Sequence, residues 1–248
     1  MQHAVAGAHH IAVLVREGKG PPVVWLGGFK SDMRSTKAEA LDAWAARTGR
    51  AFIRFDYSGH GESGGDFMEG TITQWLQDSL GVLERHVPGR PVLVGSSMGG
   101  WIALLAARHL VEASPARTPL GMVLIAPAVD FTERLMWDRF PESIRRAIEE
   151  KGVYHRPSAY SPDPYPITRK LIQDGREHLL FGAPIRTGCP VHILQGMEDP
   201  DVPWGHALTL VEHLPGDSVS LTLVKDGDHR LSRSEDLDRL VRAVEAIA

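Results

Sequence analysis

Cysteine is almost missing: Cys189 is the only one in 248 residues, so the chain closes no disulfide of its own and a small stapled scaffold is excluded. Long apolar runs are missing too. No stretch approaches the ~20 residues that a membrane-spanning helix requires, and Met1-Gln2-His3-Ala4-Val5 lacks the basic-then-apolar order of a secretion signal. Neither sign of charge dominates. The 27 basic and 31 acidic residues leave a net charge of −4, which argues against nucleic acid as a partner, since phosphate contacts call for a basic surface. Repeats and low-complexity tracts are absent, and a chain 43% hydrophobic and 23% charged can bury one large α/β core. These absences predict a cytoplasmic protein without stable membrane insertion.

Cofactor motifs are absent as well. The 12 histidines form no H-E-x-x-H pair, and a single cysteine cannot build a thiolate zinc site. The glycine-rich run 95–100 has no P-loop lysine, while the run 58–65 carries Glu62 and is followed by Asp66, which repel phosphate. Neither a cofactor nor a metal is expected.

What is present is an alternation of short apolar, β-branched runs with segments of helical period, the pattern of a mostly parallel sheet with helices on both faces. Strands are predicted over 10–15, 22–26, 51–56, 91–95, 120–126, 190–194 and 218–224. The first ends in Arg16-Glu17-Gly18-Lys19-Gly20, a hairpin-like turn, and is expected to be an antiparallel edge. Helices are expected over 36–47, from near Thr71, over the apolar stretch 101–107, and after Pro203 and Ser234. Ile72, Trp75, Leu76, Leu80 and Leu83 form the expected buried stripe of the second. From 127 to 186 the strand rhythm stops. A helical piece at 142–150 and a proline-rich piece at 157–166 predict a small helical cap, residues 127–186, inserted into a core of residues 1–126 and 187–248.

The most specific signal is Gly95-Ser96-Ser97-Met98-Gly99, a G-x-S-x-G between an apolar strand and an apolar helix. A sharp strand-to-helix turn exposes the serine only if the residues two before and two after it lack side chains, and Gly95 and Gly99 meet that demand. Ser96 is out of frame, flanked by Val94 and Met98. A serine hydroxyl needs a base, and the base an orienting acid, in the chain order Ser, Asp, His. His229, in the loop after the last strand, is the candidate base; His60 and His192 read as a turn residue and a strand residue. The loop after the preceding strand offers Glu198, Asp199 and Asp201. Asp199 is preferred as the acid, and Asp201 is expected to cap the helix that starts near Pro203. An oxyanion hole needs two backbone donors, for which the N–H groups of Met98 and of Phe29, after Gly27-Gly28, are placed.

With these residues in view, the sequence resembles the α/β-hydrolases, and in particular the abhydrolase-domain-containing protein ten group, described as palmitoyl-protein thioesterases and acyl-glucuronide esterases. The likeness is carried by Ile53-Arg54-Phe55-Asp56-Tyr57-Ser58-Gly59, by Val94 to Trp101, by Gln195-Gly196-Met197-Glu198-Asp199 with Val202-Pro203-Trp204, and by Gly227-Asp228-His229-Arg230. Lys151-Gly152-Val153, Pro157-Ser158 and Tyr160-Ser161 extend it into the cap. The resemblance implies the α/β-hydrolase fold, with Ser97, Asp199 and His229 as nucleophile, acid and base. Departures from the pattern are the missing mitochondrial leader and Gly27 where many hydrolases carry histidine.

The expected activity is that of a serine carboxylesterase or thioesterase working through an acyl-enzyme, on a small acyl ester or thioester or on an acylated protein. An aminopeptidase or C–C bond hydrolase would use the same triad, and a non-catalytic ligand-binding protein of this fold would not need it. In the cap, Phe131, Leu135, Met136, Trp137 and Phe140 are candidates for acyl contact, and Arg139, Arg145, Arg146, Arg176 and His178 for polar contact.

Overall fold

The computed structural model describes residues 2–6, 9–157 and 163–248. Among them the strands are β1 (Gln2–Ala6), β2 (His9–Arg16), β3 (Lys19–Leu26), β4 (Arg50–Phe55), β5 (Val92–Ser96), β6 (Gly121–Ile125), β9 (Val191–Gly196) and β10 (Val219–Val224), all in one sheet, with a separate pair, β7 (Val153–Arg156) and β8 (Tyr165–Thr168). The sheet order is β1-β2-β4-β3-β5-β6-β9-β10, antiparallel through β2 and parallel from β4 to β10. β5 and β6 are buried at every position, as strands covered on both faces must be, and so they read as continuous apolar runs instead of alternating ones.

The strand period of two sorts β3 between two cores. Val23 and Trp25 join Val92, Val94, Phe52 and Val123 under α1 (Thr36–Thr48) and α7 (Ser234–Glu245). Val24 and Leu26 join Leu93, Ile53 and Leu124 under α2 (Ile72–His86), α3 (Met98–Ala113) and α6 (Trp204–Glu212). Chain order reverses direction at β3: α1 leads outward to β4, while β5 lies on the other side. Ligands of open α/β sheets bind beyond the strand ends at such a switch point. Here those ends carry Gly27-Gly28-Phe29 and Ser97.

Between β6 and β9 the chain makes short helical turns over Thr132–Met136 and Trp137–Arg139, then α4 (Glu142–Lys151), the antiparallel hairpin β7–β8, and α5 (Arg169–Arg176). Ile148, Ile167, Leu171 and Ile172 are buried in the same apolar cluster as α2 and α3, so this insertion shares the core's packing and has no core of its own.

Three expectations are corrected. Residues 10–15 are antiparallel but not the edge, because Gln2–Ala6 pairs outside them. The turn at 16–20 closes no hairpin, since β4 lies between β2 and β3 and pairs with both. The buried stripe of α2 is rotated: Ile72, Trp75, Asp78, Ser79, Val82 and Leu83 are buried, whereas Leu76 and Leu80 are half-buried. A carboxylate tolerates that position because Asp78 accepts hydrogen bonds from the backbone and hydroxyl of Ser58 (2.8 and 2.7 Å) and from Gln74 (2.9 Å). The proline-rich piece is part hairpin, and its residues 158–162, including Ser158, Tyr160 and Ser161, lie outside the described residues.

Candidate active site

Ser97 sits between β5 and α3 with φ 54° and ψ −119°, a conformation that side chains other than glycine's rarely adopt. Its surroundings enforce it. A Cβ on Gly95 would come 2.4 Å from the Gly99 carbonyl oxygen, and one on Gly99 would come 2.1 Å from that of Leu26. Ser97 N–H donates to Ile125 O (2.8 Å), while its own carbonyl accepts from Gly100 (2.9 Å) and Ala128 (3.1 Å). From 91 to 107 every residue is buried except Ser97. The turn thus leaves one hydroxyl partly exposed and hides its neighbours, Ser96 included.

His229 reaches Ser97 from the loop after β10. Its Nε2 lies 3.1 Å from Ser97 Oγ and its Nδ1 2.8 Å from Asp199 Oδ2. Asp199 comes from the loop after β9, with its side chain wholly buried beside a histidine side chain that is 16% exposed. Its second oxygen accepts from the backbone of Asp201 (2.9 Å) and Val202 (2.8 Å), and Gln195 Nε2 donates to Oδ2 (3.3 Å). The carboxylate is therefore fixed from four directions. The two loops are joined at Gly196, where a Cβ would lie 2.3 Å from the Gly227 carbonyl, and Glu198 N–H donates to that carbonyl (2.9 Å). On the far side Asp228 accepts the N–H groups of Arg230 (3.1 Å) and Leu231 (2.9 Å). Lys37 of α1 donates to the Arg230 carbonyl, and burial pulls its pKa down to about 8.

Asp201 does not cap α6. The residue at the cap is Pro203, with no capping side chain, because Asp199 takes up the turn's amides and frees Asp201 to accept from Arg156 of β7 (3.2 Å). That ion pair ties the β7–β8 hairpin to the loop that carries Asp199. Ligand atoms of Asp199, Asp201 and His229 lie within 4.8 Å of one another, but both oxygens of Asp199 and both nitrogens of His229 are already in hydrogen bonds, so the set is poorly suited to an ion.

Gly28 abuts the serine: a Cβ there would stand 3.5 Å from Ser97 Cβ, which puts Phe29 at the rim of the elbow. Among the described residues no backbone carbonyl accepts the N–H of Phe29 or Met98. The Phe29 ring is walled by Phe67 (5.0 Å between centroids), Phe131 (5.7 Å), Trp75 (5.9 Å) and Tyr165 (6.0 Å). The other cap candidates are mostly spent on the cap itself. Leu135 and Met136 are buried in the apolar core, and Phe140 packs on Tyr154 (5.8 Å). Arg176 and Arg145 lie over Trp137 (5.0 and 5.7 Å), Arg146 pairs with Glu142 (3.7 Å), and His178 meets Thr73 (2.6 Å). Arg139 is exposed. His192 is a strand residue as expected, facing Thr222 (3.0 Å). Gln195 and Lys37, which hold the two loops, carry no sequence signal beyond their neighbours.

Residues 9–243 match the alpha/beta hydrolase family. The chain belongs to that family. Within it, the chain is 35% identical over 230 residues to palmitoyl-protein thioesterase ABHD10, mitochondrial, of Bos taurus, a span covering 92% of this chain and 73% of the relative. The solved alpha/beta hydrolase domain-containing protein 10 from mouse is 32% identical with a TM-score of 0.89, over 99% and 96% of the two chains. A solved structure from Agrobacterium vitis S4, described as a "Putative hydrolase", is 50% identical with a TM-score of 0.95, over 99% and 97%. No described helix of this family member is long and apolar enough to cross a membrane.

Proposed function

We propose that the protein is a serine carboxylesterase or thioesterase that works through an acyl-enzyme. The observation that carries this reading is the unbroken hydrogen-bonded chain from Ser97 through His229 to Asp199. His229 Nε2 takes the proton of Ser97 as Oγ attacks the acyl carbonyl, and the N–H groups of Met98 and Phe29 hold the oxyanion. Asp199 keeps the Nδ1–H tautomer and stabilises the imidazolium. His229 then protonates the leaving group, and water repeats the sequence to release the acid. Residues 127–186 act as the cap over this site.

The substrate class is an activated acyl group on a polar leaving group. Relatives named as palmitoyl-protein thioesterases support it, and the aromatic wall around Phe29 supplies apolar surface for an acyl chain. The cytoplasm is the proposed compartment, supported by the lack of any intrachain disulfide; the mammalian relatives are named as mitochondrial, and cell fractionation decides. The reading is tested by turnover of p-nitrophenyl butyrate: Ser97→Ala is expected to abolish it with the fold intact, and Ser96→Ala to retain it. Activity retained in Ser97→Ala would overturn the mechanism.

A further inference from the structure

The turn that presents Phe29 is held in an unfavourable form, and one buried side chain holds it. Gly28 O accepts from Ser31 N (3.1 Å), which makes 28–31 a β-turn with Phe29 and Lys30 at its centre. Lys30 has φ 58°, while Phe29 is not among the residues with positive φ. That combination is a type II turn, whose third residue is favoured as glycine or asparagine. A lysine there prefers the type I form, which turns the Phe29–Lys30 peptide over by about 180°.

His60 opposes the flip. Lys30 N–H donates to His60 Nε2 (3.2 Å), and His60 Nδ1 lies 3.2 Å from Ser58 O. A carbonyl only accepts, so the proton sits on Nδ1 and the Nε2 lone pair faces the amide. The ring is 4% exposed and boxed in by Phe67 (4.9 Å), Trp75 (5.2 Å) and Tyr57 (5.6 Å). Burial, aided by the nearby Lys30 charge, lowers its pKa to about 4, so it stays neutral. Two rings of this box, Phe67 and Trp75, also wall Phe29.

We propose that His60 is a positioning residue for hydrolysis: its Nε2 locks the Lys30 amide, and with it the Phe29 carbonyl of the same peptide, and so anchors in place the turn whose first central residue carries the Phe29 N–H that meets the oxyanion. This rests on the reading of Phe29 as an oxyanion donor. His60 touches no substrate. It acts on a donor that matters only in the transition state, so its loss lowers kcat and leaves KM in place.

The test compares His60→Gln, which keeps an acceptor near the Nε2 position, with His60→Met, which has similar size and no comparable acceptor. On p-nitrophenyl butyrate, His60→Met is expected to lower kcat by about 30-fold or more with KM within about twofold, and His60→Gln to recover at least about tenfold of that loss. Equal kcat in the two variants, or a loss confined to KM, would overturn the role. Ser97→Ala in the same assay separates the failures: if it turns over, the serine mechanism falls; if it is dead while Gln and Met are equal, only the role of His60 falls. Should either variant not fold, 15N spectra of the wild-type protein decide. A protonated Nδ1 and bare Nε2 at pH 7 are expected, and a protonated Nε2 refutes the proposal.

Discussion

At the elbow, a single added methyl on Gly95 or Gly99 would run into backbone 2.4 or 2.1 Å away, while on Gly182, in the return segment of the cap, it would meet nothing within 4 Å. The loops of the proposed nucleophile, acid and base are fixed by backbone contacts and buried hydrogen bonds that leave few alternatives. The inserted segment is anchored by Ile148, Ile167, Leu171 and Ile172 in the shared core, and its outer face is held by side chains pairing with one another, Arg176 and Arg145 on Trp137 or Arg146 with Glu142. On the proposed mechanism, chemistry is placed on the rigid region, and the proposed cap is free to differ in what it presents to substrate.

The contrast is broken or upheld first by stability. Gly99→Ala is expected to cost about 4 kcal/mol or more, because the methyl must displace the Leu26 and Gly27 carbonyls; Gly182→Ala is expected within about 0.5 kcal/mol of wild type. Urea melts of both variants check this, and similar costs would erase the distinction. Next, Asp199→Asn is expected to lower kcat by about a thousandfold or more by favouring the wrong imidazole tautomer. Asp201→Asn, which weakens the partly exposed Arg156 pair, is expected to cost less than about 1 kcal/mol of stability and to leave kcat within about threefold. The reverse ranking in steady-state kinetics contradicts the assignment.

How much of this was readable in advance follows the same division. The elbow announces itself because its glycines are a steric necessity, and the strands because burial on both faces demands unbroken apolar runs. The cap hairpin is hidden by its prolines: Pro166 lies in β8 of a two-stranded ribbon, where a missing N–H is tolerated. β1 has no pattern of its own and is recruited by its register with β2. Asp201 reads as a helix cap in the sequence but is not one, because Asp199 performs two tasks, closing the turn with one oxygen and holding His229 with the other. Buried Asp78 broke the apolar stripe of α2 because its partner, Ser58, lies in a distant loop that helical period cannot see.

A smaller effect concerns the leaving group. A kcat/KM for an acyl ester or thioester of short to medium chain at least about a hundredfold above the matching anilide is expected, roughly 2.7 kcal/mol in barrier, since amides demand more of the general acid. A preference for aminoacyl anilides would favour the aminopeptidase alternative. Smaller still is the pH dependence of stability contributed by His60. Its folded pKa of about 4 lies below the ordinary 6.5, so the unfolded chain takes up the proton first as pH falls. The stability it contributes is present above pH 6.5 and is lost on going down towards 4, about 2 kcal/mol of it between pH 7 and 5. The difference in urea stability between wild type and His60→Gln should shift by that amount over this range, and a constant difference would contradict the burial of a neutral ring.

The central claim is that one hydroxyl, at the single half-buried point of an otherwise buried turn, becomes the acyl acceptor. The direct measurement is peptide mass spectrometry after treatment with a fluorophosphonate, which phosphonylates a serine only when a base activates it. The account predicts one adduct, on Ser97, absent from Ser97→Ala and retained in Ser96→Ala. An adduct on Ser96, or labelling that persists in Ser97→Ala, would contradict it.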